Sequence, residues 1–341
     1  MRSLTKSFRM GAMKSTGPQR RGPTPAAPFM AAAPVAVAAV LAMALLVGCG
    51  GARGAAGADA GDGGRGAGGD AAAQDAGGPE EPVHPAFDIT QEELEGQIRR
   101  AAAELRPPFG VAYAPAILAR PEYFLELMKQ SFAEPPVFFR LVDKEHALPA
   151  DYVPEDLVDL NRYRDRLVLN RGDLSLRAVI LPDLFAMVEA ARLDGITLDL
   201  SSTYRSYDYQ AGLFQRHVDN LGLDEAERVS ARPGTSQHQL GTTVDFGSIT
   251  PAFADTPAGR WVAENAGEFG FSLSYPDGYE ALTGYSYEPW HFRYISRVGT
   301  EIEAQFFGGL QQHFLEFYGH SADWFQDRLD RSSQADPGED P

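Results

Sequence analysis

The 341-residue chain has one cysteine, Cys49. No disulfide can therefore form within it, and the folded part must be held by its core. Positive charge is scarce. Lys and Arg number 30 against 47 Asp and Glu, a net charge of −17, which makes nucleic acid and anionic membrane surfaces poor partners for the body of the protein. Residues 50–78 lack aromatic and large aliphatic side chains altogether, 12 of the 29 being Gly and 10 Ala. Such a segment cannot bury enough apolar surface to offset its ordering entropy. No internal repeat is present, and no Ser-x-x-Lys nucleophile motif occurs in the folded part, so attack by a serine of that kind is not indicated.

Acidic residues are absent from positions 1–48, which hold six basic ones: Arg2, Lys6, Arg9, Lys14, Arg20 and Arg21. An apolar run follows from Ala31 to Val47, Ala-rich and interrupted by Pro34. It is short for a spanning helix and fits the apolar region of a secretory signal. The run ends in Leu46-Val47-Gly48-Cys49, similar to a bacterial lipobox, with small residues before the cysteine as cleavage requires. The expectation is a signal peptide over 1–48, lipidation of Cys49, and a Gly/Ala-rich tether over 49–86 with a reach of roughly 30–35 Å. Removing the six basic charges of the leader takes the net charge from −17 to −23. The protein is then expected on the extracytoplasmic side of a bacterial membrane, held through the lipid on Cys49.

Thr90-Gln91-Glu92-Glu93 has the pattern of a capping box and predicts a helix to about Leu105, with Pro107-Pro108 as its stop. Pro121 opens a second helix. Residues 141–160 read as a loop-rich wrap broken by Pro149 and Pro154, and Pro182–Leu193 as an amphipathic helix ended by Gly195. Tyr207–Leu221 reads as a helix with Gly222 after it, and Pro257–Ala266 as another. ITLDLSSTYRS (196–206) shows the alternation of a strand entering a loop, and short strands are expected in TTVDF from Thr242, at 271–275 and at about 291–295. Helices and short strands in mixed order, without a repeating βαβ rhythm, point to an α+β fold with a small antiparallel sheet flanked by helices. Residues 87–140 are expected as an N-terminal helical extension and 326–341 as a polar, disordered tail.

Two stretches carry the chemistry. In Ser230–Gly247, SARPGTSQHQLGTTVDFG, His238 precedes Asp245 by seven residues. Asp245 lies on the face of a strand opposite Val244, and an inward carboxylate there is costly unless a positive charge meets it. In Tyr287–Tyr294, Glu288 precedes His291 by three residues. Two imidazoles and one carboxylate are a common ligand set for catalytic zinc, and Glu288 is placed to serve as a base that is not a ligand. Each residue alone also fits an ordinary role: His238 as a capping side chain, Asp245 bonded to backbone N–H groups, His291 as a core histidine. The two spacings together favour a metal. His84, His146, His217, His313 and His320 lack a paired ligand and read as structural.

The motif Ser236-x-His238-x2-Gly241-x-Thr243-x-Asp245, together with Glu288-x2-His291, resembles the paired motifs of the VanY-like zinc D-alanyl-D-alanine carboxypeptidases. STYRSYDYQ (202–210), NAGEFGF (265–271), TGYSYEPWHFRY (283–294) and ALPADYVPEDLV (147–158) extend the resemblance over about 140–296. The chain departs from the family at Thr243, where Ala is usual, and at Gln237, often Glu. The resemblance implies a zinc carboxypeptidase domain over 141–325, with one zinc ion on His238, Asp245 and His291 and with Glu288 as catalytic base. It implies Arg205 as the group that polarises the scissile carbonyl, and Gln210 and Ser236 as contacts to the substrate backbone or its terminal carboxylate. Trp290, Tyr287 and Tyr294 are cleft candidates, with core packing as the alternative. The activity implied is removal of the terminal D-alanine from peptidoglycan stem peptides by a monomer. L,D-carboxypeptidase or endopeptidase action, and a cell-wall binding module without catalysis, remain open at this point.

Overall fold

The computed structural model describes residues 82–106 and 112–335. The leader, Cys49, the tether as far as residue 81, the Pro107-Pro108 stop and residues 336–341 lie outside that range. Helix α1, Gln91–Glu104, begins where the capping box places it. The Thr90 hydroxyl accepts from Glu93 N, and the Glu93 carboxylate accepts from Thr90 N. Helices α2 (Ala114–Ala119) and α3 (Pro121–Ser131) each carry a proline in the first turn, where no N–H is needed.

Three strands follow: β1 (Leu157–Asp159), β2 (Val168–Leu169) and β3 (Ser175–Arg177). β1 lies inside the segment read as a loop-rich wrap, and it pairs antiparallel with β3 as a separate two-stranded sheet. Helix α4, Leu181–Leu193, leads to β4 (Asp199–Ser202). Helix α5, Tyr207–Leu221, is capped by Ser206 and ended by Gly222 at φ 82°. The rest of the chain adds α6 (Leu223–Val229), β5 (Thr243–Phe246), α7 (Pro257–Asn265), β6 (Phe271–Leu273), α8 (Glu280–Thr283), β7 (His291–Tyr294), α9 (Arg297–Phe306) and α10 (Gln311–Ala335). The main sheet has the order β2-β4-β5-β7-β6. All its pairs are antiparallel except β2 with β4.

The register of the two central strands decides what faces what. Val244 lies opposite Phe292, and Asp245 lies opposite His291. Val244, Phe246, Phe292 and Tyr294 join the hydrophobic core, so Asp245 and His291 share the other face with their Cβ atoms close together. A slip of one residue would send the carboxylate into the core, which holds the register firmly.

Two expectations change. The helical segment over 87–140 is no appendage: Phe124 packs edge-on to Phe306, Phe317 and Phe325, and Phe87 packs on Phe325, within the same core that covers the sheet. The polar tail expected from residue 326 is helical to Ala335, because α10 continues with Phe325 buried against α3. Among the described residues no helix is long and apolar enough to cross a membrane.

Candidate metal centre

His238 stands in a single 3-10 turn, Gln237–Leu240. Gly241 ends that turn at φ 72°, and a Cβ there would come within 3.0 Å of Arg177 Cγ and 3.1 Å of Leu157 Cδ2. The positive φ and the lack of space both require glycine. Gly241 O accepts from Arg177 N at 2.9 Å, which pins the turn to β3. His238 is thereby delivered to the face carrying Asp245 and His291, and all three side chains are buried.

The hydrogen-bond partners fix which ring nitrogen points inward. His238 Nδ1 lies 2.6 Å from the carbonyl oxygen of Thr203, which can only accept, so Nδ1 carries the proton and Nε2 presents a lone pair. His291 Nε2 lies 3.2 Å from Gln237 Oε1, an oxygen that also accepts from the Ser274 hydroxyl at 2.7 Å. His291 therefore donates through Nε2 and presents the Nδ1 lone pair. Both bare nitrogens face Asp245: His238 Nε2 is 3.2 Å from Oδ2, and His291 Nδ1 is 3.1 Å from Oδ1. Burial, with Arg205 acting in the same sense, pushes His238 down to about 4. Burial lowers His291 as well. Neither ring supplies a proton to the gap near neutral pH.

Arg205 answers part of the Asp245 charge, its Nη2 donating to Oδ2 at 2.7 Å while Nε donates to Ser202 Oγ at 2.9 Å. Burial acts to raise Asp245, but its carboxyl lies well below the usual range, with the Arg205 guanidinium as the permanent positive charge beside it. His238 Nε2 and Asp245 Oδ1 are left without a hydrogen-bond partner among the described residues. Two imidazole lone pairs and a carboxylate oxygen, all within 4.8 Å of one another on three buried side chains, need a shared cation. The donor set of two nitrogens and one oxygen suits zinc, and three protein donors is the count of catalytic rather than structural sites.

Glu288 lies outside that converging group, with Oε2 3.4 Å from His291 Nδ1. Its backbone is fixed by Glu288 N donating to Tyr275 O and by His291 N donating to Glu288 O, each at 3.1 Å. Burial, with the Asp245 charge, pushes Glu288 up to about 8, and Arg205 acts against this. A cation on the neighbouring triad would draw it down toward a working base.

These groups open on a cleft of about 610 Å³, within the usual range for a small-molecule site. Ser236, Tyr287 and Trp290 line it, whereas Tyr294 turns away into the core and donates to Asp183 Oδ2 at 2.6 Å. Gln210 is not on the cleft wall. It is buried, with Nε2 donating to Ala231 O at 2.7 Å and Oε1 accepting from Arg205 Nη1 at 3.5 Å, so it braces the loop before the metal motif and the Arg205 side chain. His217, read as structural, does line the cleft. It lies seven residues along α5 from Gln210 and had no paired ligand to mark it. The other four histidines have partners away from the cleft: His84 with Glu126, His146 with Asp143, His313 with Tyr113 and His320 with Glu104.

Residues 173–297 match the family model described as VanY, D-alanyl-D-alanine carboxypeptidase. "Putative carboxypeptidase YodJ" of Bacillus subtilis is 34% identical over 193 residues, which are 53% of this chain and 70% of that protein. The bifunctional D-Ala-D-Ala dipeptidase and D-Ala-D-Ala carboxypeptidase VanXYC of Enterococcus gallinarum is 31% identical over 48% of this chain and 86% of its own length. The chain belongs to the VanY family. A D-alanyl-D-alanine carboxypeptidase of Enterococcus faecium is 31% identical, the match spanning about half its length, 52%. In this VanY-family chain the matched segment contains the triad, Glu288 and Arg205. It does not contain α1–α3 or α10.

Proposed function

We propose that this chain is a zinc-dependent D,D-carboxypeptidase that removes the terminal D-alanine from peptidoglycan stem peptides. The observation that carries this reading is the buried set of inward-facing donors on His238, Asp245 and His291 beside an unligated, buried Glu288. Zinc held there would supply Lewis acidity, polarising the scissile carbonyl and making water easier to deprotonate. Glu288 takes the proton of the attacking water on its carboxylate and passes it to the leaving D-alanine nitrogen. Arg205, which lines the cleft, offers guanidinium N–H groups to the carbonyl oxygen as negative charge builds there. Ser236 presents its hydroxyl to the substrate main chain from the cleft wall. A pure binding module has no use for a base held in this position. Release of one D-alanine per molecule of a pentapeptide ending in D-alanyl-D-alanine is the expected result. Cleavage of a tetrapeptide ending in a single D-alanine, with the pentapeptide untouched, would overturn the D,D assignment.

The location follows from the leader. Cys49 carries the lipid, the Gly/Ala-rich tether spans the gap, and the monomeric domain acts on wall peptides outside the membrane. Cells fed a fatty-acid analogue should label the protein, and Cys49→Ala should abolish the label. Equal labelling of both forms would contradict the anchor.

A further inference from the structure

A buried line of side chains runs from the C-terminal helix to the metal centre. Gln311, the first residue of α10, is 1% exposed. Its Nε2 donates to Ser272 O at 3.3 Å, which fixes the amide with Oε1 turned toward Gln237. That Oε1 accepts from Gln237 Nε2 at 3.2 Å, and Ser274 Oγ also lies 3.2 Å away. Gln237 is thereby oriented with its own Oε1 toward His291 Nε2, and the Ser274 hydroxyl donates to the same oxygen at 2.7 Å. Every amide in the line has one orientation that satisfies its neighbours, and the last link keeps the His291 proton on Nε2 and the lone pair on Nδ1.

Gln237 stands where the family often has Glu. A Glu there would have no N–H to give Gln311 Oε1, so this link depends on the Gln that the chain carries at 237. Gln311 also lies 14 residues beyond the end of the family-matched segment at 297. Helix α10 is in turn seated by the N-terminal helices, through Gln97 Nε2 donating to Ser321 Oγ at 3.2 Å and through the Phe124 contacts.

We propose that Gln311, acting through Gln237 and supported by Ser274, is a positioning residue that sets the His291 tautomer and thereby the metal affinity. Helix α10 and the helices that seat it are thus part of the metal centre. The inference rests on zinc binding at His238, Asp245 and His291. Its test measures zinc affinity by competition with a chelator on the full chain, alongside the ¹⁵N signature of the His291 tautomer in the zinc-loaded form. Gln311→Met should weaken zinc binding by about 10–100-fold, and Ser274→Ala should shift it in the same direction. Both should move the ¹⁵N signature.

Gln312→Met is the control. It removes a buried amide one residue along, whose bonds go to Asp143 and Glu316 and not to the line. It should leave zinc affinity unchanged even if it lowers Tm. Wild-type affinity in both Gln311→Met and Ser274→Ala, or an equal loss in Gln312→Met, would overturn the proposal. Should Gln311→Met fail to fold, Ser274→Ala decides. A wild-type chain that binds no zinc would overturn the metal reading itself, an outcome distinct from the others.

Discussion

Glu288→Gln should retain zinc and substrate while kcat falls by about 10²–10⁴, the usual cost of losing a general base. The geometry separates this residue from the ligands. Glu288 Oε2 lies 3.4 Å from His291 Nδ1 but is not one of the three converging donors. Its position is set by main-chain bonds to Tyr275 and His291 and by Pro289 between them, none of which depends on its charge. The Gln amide fills the same volume, so the cleft wall keeps its shape and KM should change little. What is lost is an oxygen able to take a proton. His291→Ala differs in kind, because it removes a donor and should lower zinc occupancy together with turnover. The comparison that checks the role measures zinc stoichiometry and kcat for both variants. Loss of zinc from Glu288→Gln to the extent seen in His291→Ala, or near-normal kcat, would show that Glu288 is not the base.

The triad was legible in the sequence because its members sit in short motifs whose geometry is local. A 3-10 turn closed by Gly241 delivers His238, and alternation along β5 puts Asp245 opposite Val244, with the same face of β7 carrying His291. Capping signals likewise marked α1 and α5 to within a residue or two. Helix α10 was not legible. Its inward face mixes Phe314, Phe317 and Phe325 with buried Gln311, Gln312, His313, Glu316 and Ser321, which hides the apolar period that identifies a helix. β1, β2 and β3 are two or three residues long, too short for a period of two to show.

The bracing role of Gln210 and the line from Gln311 to His291 depend on contacts between residues 20 to 74 positions apart, which no local pattern records. Arg205 was expected to act on substrate. Its bond to Asp245 shows that it also helps to hold the carboxylate ionised, a second use visible only in three dimensions.

Removing the metal should abolish turnover and lower stability together. Without a cation, His238 Nε2 and His291 Nδ1 direct lone pairs at a carboxylate from 3.2 and 3.1 Å inside a buried space, an arrangement of acceptors with too few donors. Zinc that binds this native cluster and not the unfolded chain adds its binding free energy to the folded state. The apo protein should therefore melt at a lower temperature, and its activity should return on reloading. Metal loss removes the Lewis acid, and Glu288, set in a buried site at about 8, is then mostly protonated at neutral pH and a poor base. Both defects fall on the same step.

The most direct measurement titrates zinc into the chelator-treated chain while following D-alanine release from a pentapeptide. Activity should rise from background in proportion to added zinc and level off at one ion per chain, with His291→Ala showing no such saturation. Full turnover in a chain shown to hold no metal would contradict the assignment of His238, Asp245 and His291 as a catalytic zinc site.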